Sequence, residues 1–170
     1  MEIRLHLAFR ETAAVSLLNW LARENARQLI RDPSLPGLYG SGVEYDRETE
    51  ETWSDYINLL AQGWEDCDAL AAARAGEIRA RGYRALTPGD GGFEEARDRR
   101  LTAIPAEVFL RTRAGVGRPG LYHCLVRYPV GGRMYFDDPS ARLGMLSRRL
   151  DAREVQQRLH LQSHPTQRAS

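Results

Sequence analysis

The fold is decided by the stretch Trp64-Glu65-Asp66-Cys67-Asp68-Ala69-Leu70-Ala71-Ala72-Ala73-Arg74-Ala75, which predicts a helix beginning close to Cys67. Alanine and leucine are strong helix formers, and the carboxylate of Asp66 can cap the first turn. Small and apolar residues then recur at helical spacing, and Gly82 is the expected end of the helix. A thiol in the first turn lies at the positive end of the helix dipole, which favours the thiolate. The sequence therefore predicts a nucleophilic cysteine.

A general base and its partner are predicted downstream, on either side of a hairpin. The alternation in residues 121–128 puts His123 on one face of a strand and Cys124 on the opposite face, where we expect a small core residue. The turn Pro129-Val130-Gly131-Gly132 brings the following strand back beside it, so that Asp138 can accept the imidazole N–H of His123. Asp137 is the adjacent rival, but we expect it to be a solvated charge at the strand edge.

These motifs resemble the transglutaminase-like (papain-like) cysteine peptidase superfamily. The resemblance is carried by Gly63-Trp64-Glu65-Asp66-Cys67-Asp68-Ala69-Leu70-Ala71, Tyr122-His123-Cys124-Leu125-Val126 and Asp138-Pro139-Ser140, within roughly residues 38–145. More narrowly, the motifs resemble the small single-domain members of this superfamily that are encoded among tailed-phage and prophage structural genes. It implies a Cys67, His123 and Asp138 catalytic triad that needs no cofactor and no metal.

The oxyanion hole is predicted only in part. The backbone N–H of Cys67 is the natural first donor. For the second donor, the sequence leaves Trp53, Gln62 and Trp64 open.

The predicted fold class is α+β. Helices come first, with the nucleophile at a helix N-terminus packed on an antiparallel sheet, which is also the arrangement that the resemblance implies. A single domain is expected over residues 1–161, followed by a flexible tail over 162–170.

The remaining elements follow from local patterns. The expected strands cover residues 1–9, 83–86, 104–112, 121–128 and 134–137, and the expected helices cover 11–30, a segment around 53–60, and 150–161. Loops are expected over 33–42 and 89–100, the second of them mobile.

Composition excludes several function classes. The chain has 170 residues and a formal net charge of +1, which favours neither a nucleic-acid nor a membrane partner. The alternating N-terminus predicts a strand, so we expect no signal peptide there, and no apolar run reaches transmembrane length. A disulfide between the two cysteines would consume the nucleophile, and a zinc site lacks a Cys-x-x-Cys pair. We therefore expect a cytoplasmic or virion-associated protein in a reducing compartment.

Three functions fit these expectations. The first is a cysteine-dependent acyl-transfer enzyme, a peptidase or amidase that acts on a protein or a peptidoglycan peptide and is associated with a phage or a phage-like particle. The second is a structural or adaptor component beside phage tail or head proteins, which keeps the fold with little or no catalysis. The third and weakest is acyl transfer to a small arylamine.

Overall fold

Helix α3 (Cys67–Leu86) is the central element of the computed structural model. It packs along helix α1 (Glu11–Arg31) on one side and against an antiparallel sheet on another. Residues 69–77 of α3 are all buried, as expected for a helix covered on several sides. The alanines that favour the helix locally are thus also the residues that let neighbouring elements approach it closely.

The structure describes residues 11–47, 52–86, 105–112 and 122–145, and this part of the chain is α+β, as the sequence predicted. Besides α1 and α3, its elements in chain order are the 3-10 helix Leu38–Gly40, β1 (Glu44–Tyr45), α2 (Tyr56–Gln62), β2 (Trp64–Glu65), β3 (Glu107–Thr112), β4 (Tyr122–Val130), β5 (Arg133–Asp137) and α4 (Pro139–Arg142).

Two sheets frame the start of α3. Strands β3, β4 and β5 form an antiparallel sheet in that order, and β4 and β5 are joined by a turn at Gly131 and Gly132, both with positive φ. This hairpin and its antiparallel sheet agree with the sequence prediction. Strands β1 and β2 form a separate parallel pair that the sequence did not predict.

The contact between α1 and α3 depends on Gly76. A Cβ atom built there would lie 2.6 Å from Cβ of Asn25 and 2.8 Å from the carbonyl oxygen of Ala22. Both neighbours are fully buried on α1. The absence of a side chain at residue 76 therefore sets how closely the two helices pack.

Two sequence predictions about α3 were wrong. The helix does not end at Gly82 but continues to Leu86, so residues 83–86 are helical instead of forming a short strand. Two causes explain the difference: arginine, alanine and leucine after Tyr83 are good helix formers, and the Tyr83 side chain is buried in the core cluster shared with α1 and α2.

Several predictions lie outside the described residues. They are the strand at 1–9, the loop at 89–100, the helix at 150–161 and the tail at 162–170. Among the described residues, no helix is long and apolar enough to cross a membrane.

Candidate functional site

The approach to Cys67 is fixed by main-chain hydrogen bonds. In the β1–β2 pair, the N–H of Glu44 donates to the carbonyl of Gly63 at 3.0 Å, and the N–H of Asp46 donates to that of Glu65 at 2.9 Å. The carboxylate of Asp66 then accepts from the N–H of Asp68 at 3.2 Å. Asp66 therefore caps the helix as predicted, and Cys67 is the first residue of α3.

The hairpin brings His123 and Asp138 together. Nε2 of His123 lies 2.8 Å from Oδ2 of Asp138, in a pair that is about one quarter exposed, with side chains 22% and 33% accessible. Oδ1 of the same carboxylate accepts from the N–H of Ala141 at 3.0 Å, so Asp138 is also the N-cap of α4, with Pro139 in the first position. Each oxygen of Asp138 thus has one partner, which holds the carboxylate in a single orientation.

The segment after Asp138 is tied back to the segment before Cys67. The carbonyl of Leu143, at the end of α4, accepts from the N–H of Tyr45 on β1 at 2.8 Å. Because β1 pairs with β2, the short strand pair joins the two parts of the chain that carry the acid and the thiol.

The thiol of Cys67 is acidic. Hydrogen bonds from Cys124 and then His123 stabilise the thiolate and lower its pKa to about 6, although burial and the nearby carboxylate of Asp66 oppose the change. An ordinary thiol has a pKa near 8.5. Near pH 6, about half of Cys67 is therefore thiolate, whereas a free cysteine is almost wholly protonated. The helix N-terminus favours the same charge state.

The pKa of His123 changes in the opposite direction. Its hydrogen bond with Cys67 raises the pKa most, burial opposes this, and the hydrogen bond to Asp138 raises it further. Because Nε2 is directed at Asp138, Nδ1 is the ring nitrogen that is left for the thiol. A lowered thiol pKa beside a raised imidazole pKa favours a thiolate–imidazolium pair.

Cys124 is a buried core residue, as predicted, but it also contacts the candidate nucleophile. Strand alternation predicted a core residue turned away from the site, and Cys124 is indeed buried, but its thiol also donates a hydrogen bond to Cys67. That bond and the burial raise the pKa of Cys124, which therefore stays a neutral donor. Strand alternation does not show this contact, because it depends on α3 packing against β4.

Asp137 is not a solvated edge charge, so this expectation was also wrong. Its side chain is buried, and its Oδ2 accepts from Nε of Arg74 at 2.7 Å. Burial, the largest single influence, raises the pKa of this carboxyl, but the hydrogen bonds from Arg74 and Tyr39 together with the charges of Arg74 and Arg142 outweigh it, and the pKa is lowered. Strand alternation did separate the two carboxylates, because Asp138 alone is directed to His123.

The three candidates for the second oxyanion donor are not equivalent. The indole N–H of Trp53 donates to Oδ2 of Asp68 at 2.7 Å, and the side-chain amide of Gln62 donates to the carbonyl of Trp64 at 3.1 Å. The indole N–H of Trp53 is thereby engaged, whereas an amide NH₂ has a second hydrogen to donate. Trp64 itself is 39% exposed.

The described residues contain no group of three or more His, Cys, Asp or Glu side chains that could hold a metal ion. Cys67 and Cys124 are both free thiols.

Comparison with known proteins found no match: no protein-family model, no curated protein and no solved structure resembles the chain closely enough to be assigned to it.

Proposed function

We propose that this protein is a cysteine-dependent acyl-transfer enzyme, a peptidase or amidase with Cys67 as nucleophile, His123 as general acid and base, and Asp138 as the group that orients His123. The observation that carries the proposal is the acidic Cys67 thiol at a helix N-terminus, in contact with an imidazole that is itself held by a carboxylate. Nucleophile, base and orienting acid in hydrogen-bonded succession are the requirement for covalent acyl transfer.

In the first half of the reaction, the Sγ thiolate of Cys67 attacks the carbonyl carbon of an amide. The carbonyl π electrons move to oxygen, where the backbone N–H of Cys67 can stabilise the charge, since the first N–H of a helix has no carbonyl partner within the helix. When the C–N bond breaks, the imidazolium of His123 gives its proton to the departing amine. A thioester and a neutral imidazole remain.

In the second half, His123 takes a proton from water, and the resulting hydroxide attacks the thioester carbonyl. The C–S bond breaks, a carboxylic acid leaves, and the thiolate is restored beside the imidazolium. An incoming amine in place of water would give transglutaminase-type transfer through the same intermediate. We favour hydrolysis, because water needs no binding site of its own.

The proposed family is the transglutaminase-like superfamily with its papain-like fold, and the proposed setting is a phage or phage-like particle. The α+β architecture, the thiol at the start of a central helix, and the His-bearing strand paired with the strand that leads to the acid support this proposal. The proposed substrate is a virion protein or a peptidoglycan peptide, since both offer amide or isopeptide bonds.

The first test is thiol reactivity, with no substrate needed. The protein is treated with a limiting amount of iodoacetamide at pH 7, and the labelled peptides are quantified by mass spectrometry. Because only the Cys67 pKa is lowered, we expect Cys67 to be alkylated at least about tenfold faster than the buried Cys124. Equal rates would contradict the proposal and favour the structural or adaptor function.

The second test is turnover. Purified wild type is incubated with phage virion proteins and with cross-linked cell-wall peptides, and new carboxyl termini are detected by mass spectrometry. We expect cleavage by wild type, none by Cys67→Ser or His123→Ala, and wild-type circular dichroism for both variants. Cleavage that survives in Cys67→Ser would exclude the thiol mechanism.

A further inference from the structure

A buried ion-pair network joins α3 to the end of β5. Nε of Arg74 donates to Oδ2 of Asp137 at 2.7 Å, and Nη1 donates to Oε2 of Glu77 at 2.8 Å. The side chains of Arg74 and Asp137 are only 11% and 8% exposed. Arg74 lies seven residues after Cys67, which is two helical turns, so both side chains leave α3 on nearly the same face.

Among the described residues, the charged and titratable groups found against Asp137 belong to this network or stack on it. Arg142 of α4 lies 3.6 Å from Oδ1 of Asp137. The ring of Tyr39, in the 3-10 helix, is covered by Arg74 at 4.7 Å and by Arg142 at 4.2 Å, measured from guanidinium carbon to ring centroid. The last residue of β5 is therefore held by α3, by α4 and by the segment before β1.

The peptide bond between Asp137 and Asp138 links this network to the proposed triad. Asp137 is directed inwards to Arg74, and Asp138, the next residue, is directed to His123. If Asp137 rotated or moved away from Arg74, the backbone that carries the side chain of Asp138 would be displaced. Hydrogen bonding to an imidazole requires that carboxylate to be placed within a few tenths of an ångström.

We propose that Arg74 is a positioning residue for the triad: it ties the end of β5, and with it the carboxylate of Asp138, to the helix that carries Cys67. The inference rests on the proposed function for its catalytic meaning. Helix α3 then supplies both the nucleophile and, two turns later, the anchor that sets the distance between His123 and its acid. Arg74 itself does not contact the reacting atoms.

The sharp test is the double variant Arg74→Met/Asp137→Asn. It removes the anchor without leaving a buried charge unpaired, and it leaves the net charge near His123 unchanged. The measurement is the pKa of the His123 imidazole from an NMR titration, with Asp138→Asn as the reference for complete loss of the acid. We expect the double variant to lower the His123 pKa by about half a unit or more, a roughly threefold change in its protonation equilibrium.

The matched control is Arg127→Met. Arg127 forms an ion pair with Glu107 at 2.8 Å in the same sheet, but both side chains are nearly half exposed and neither adjoins Asp138. We expect this control to keep the wild-type His123 pKa. Single Arg74→Met should lose more stability than the double variant, since it leaves Asp137 without its closest cation, yet the two should share the lowered His123 pKa.

A folded double variant with the wild-type His123 pKa would overturn the proposal and show that the network only stabilises the fold. If the double variant does not fold, Arg74→Leu/Asp137→Ala replaces it, because this pair also removes the link and keeps the net charge near His123; an unchanged His123 pKa there would overturn the proposal equally. The titration needs no substrate. Absence of turnover by wild type would therefore contradict the proposed function and leave the result on Arg74 standing.

Discussion

Replacing Cys124 by alanine should make Cys67 a weaker acid. The thiol of Cys124 is the strongest of the interactions that lower the Cys67 pKa, and alanine has no donor. A hydrogen bond to a charged group contributes about 1.5–3 kcal/mol, and S–H is a weak donor, so the lower figure applies. At about 1.4 kcal/mol per pKa unit, the Cys67 pKa should rise from about 6 to roughly 7.

The change has a definite pH dependence. At pH 6 the thiolate fraction falls from about one half to about one eleventh, so alkylation of Cys67 should be roughly fivefold slower in Cys124→Ala. At pH 8 both proteins are nearly all thiolate, and the rates should agree closely. The assay is the rate of iodoacetamide labelling of Cys67 between pH 5 and 9, followed by mass spectrometry of the Cys67 peptide.

Cys124→Ser is the matched control, because serine keeps a hydroxyl donor of similar size in the same place. Its labelling profile should stay near that of wild type, and circular dichroism should show all three proteins folded. A Cys124→Ala midpoint within about 0.3 unit of wild type would refute the reasoning, since the hydrogen bond from Cys124 would then have no part in the acidity of Cys67.

Three further predictions concern the candidate site and the packing around it. In wild type, the rate of Cys67 alkylation should rise as the pH increases through about 6, because the thiol loses its proton near that pH. His123→Ala removes a hydrogen bond to the thiolate and should therefore move the midpoint of this pH profile upward in the same assay. Asp137→Ala should destabilise the fold by about 3 kcal/mol in urea unfolding, since it breaks the buried ion pair with Arg74, which then keeps only Glu77 as its partner. Gly76→Ala should also destabilise, by about 1–3 kcal/mol despite the better helix propensity of alanine, and unchanged urea unfolding would show that α1 can move away.

Local patterns predicted much of the fold. The alanine-rich stretch after Cys67 forms a helix because propensity, the Asp66 cap and burial all agree there. The β4–β5 hairpin follows from strand alternation interrupted by two glycines that adopt positive φ. The same alternation separates Asp137 from Asp138 correctly, although it does not show what Asp137 contacts.

The errors come from contacts between distant segments. Residues 83–86 were predicted to form a strand, but the burial of Tyr83 beside α1 and α2 keeps them helical. Strands β1 and β2 are two residues long each, too short to have a period, and they exist because the chain before Cys67 passes beside residues 44–45. No local pattern contains that information.

The position of Cys124 shows why strand alternation is not enough to define a site. Successive residues of β4 do point to opposite faces, but a thiol at the start of a helix packed under the sheet can meet both residues at the strand end. Both His123 and Cys124, neighbours on β4, lower the pKa of the Cys67 thiol. The face of β4 to which a side chain points therefore decides whether it is buried. The placement of α3 decides which of these side chains interact with the Cys67 thiol. The signal available in the sequence was the adjacency of His123 and Cys124 in a strand that also had to cover the cysteine-bearing helix.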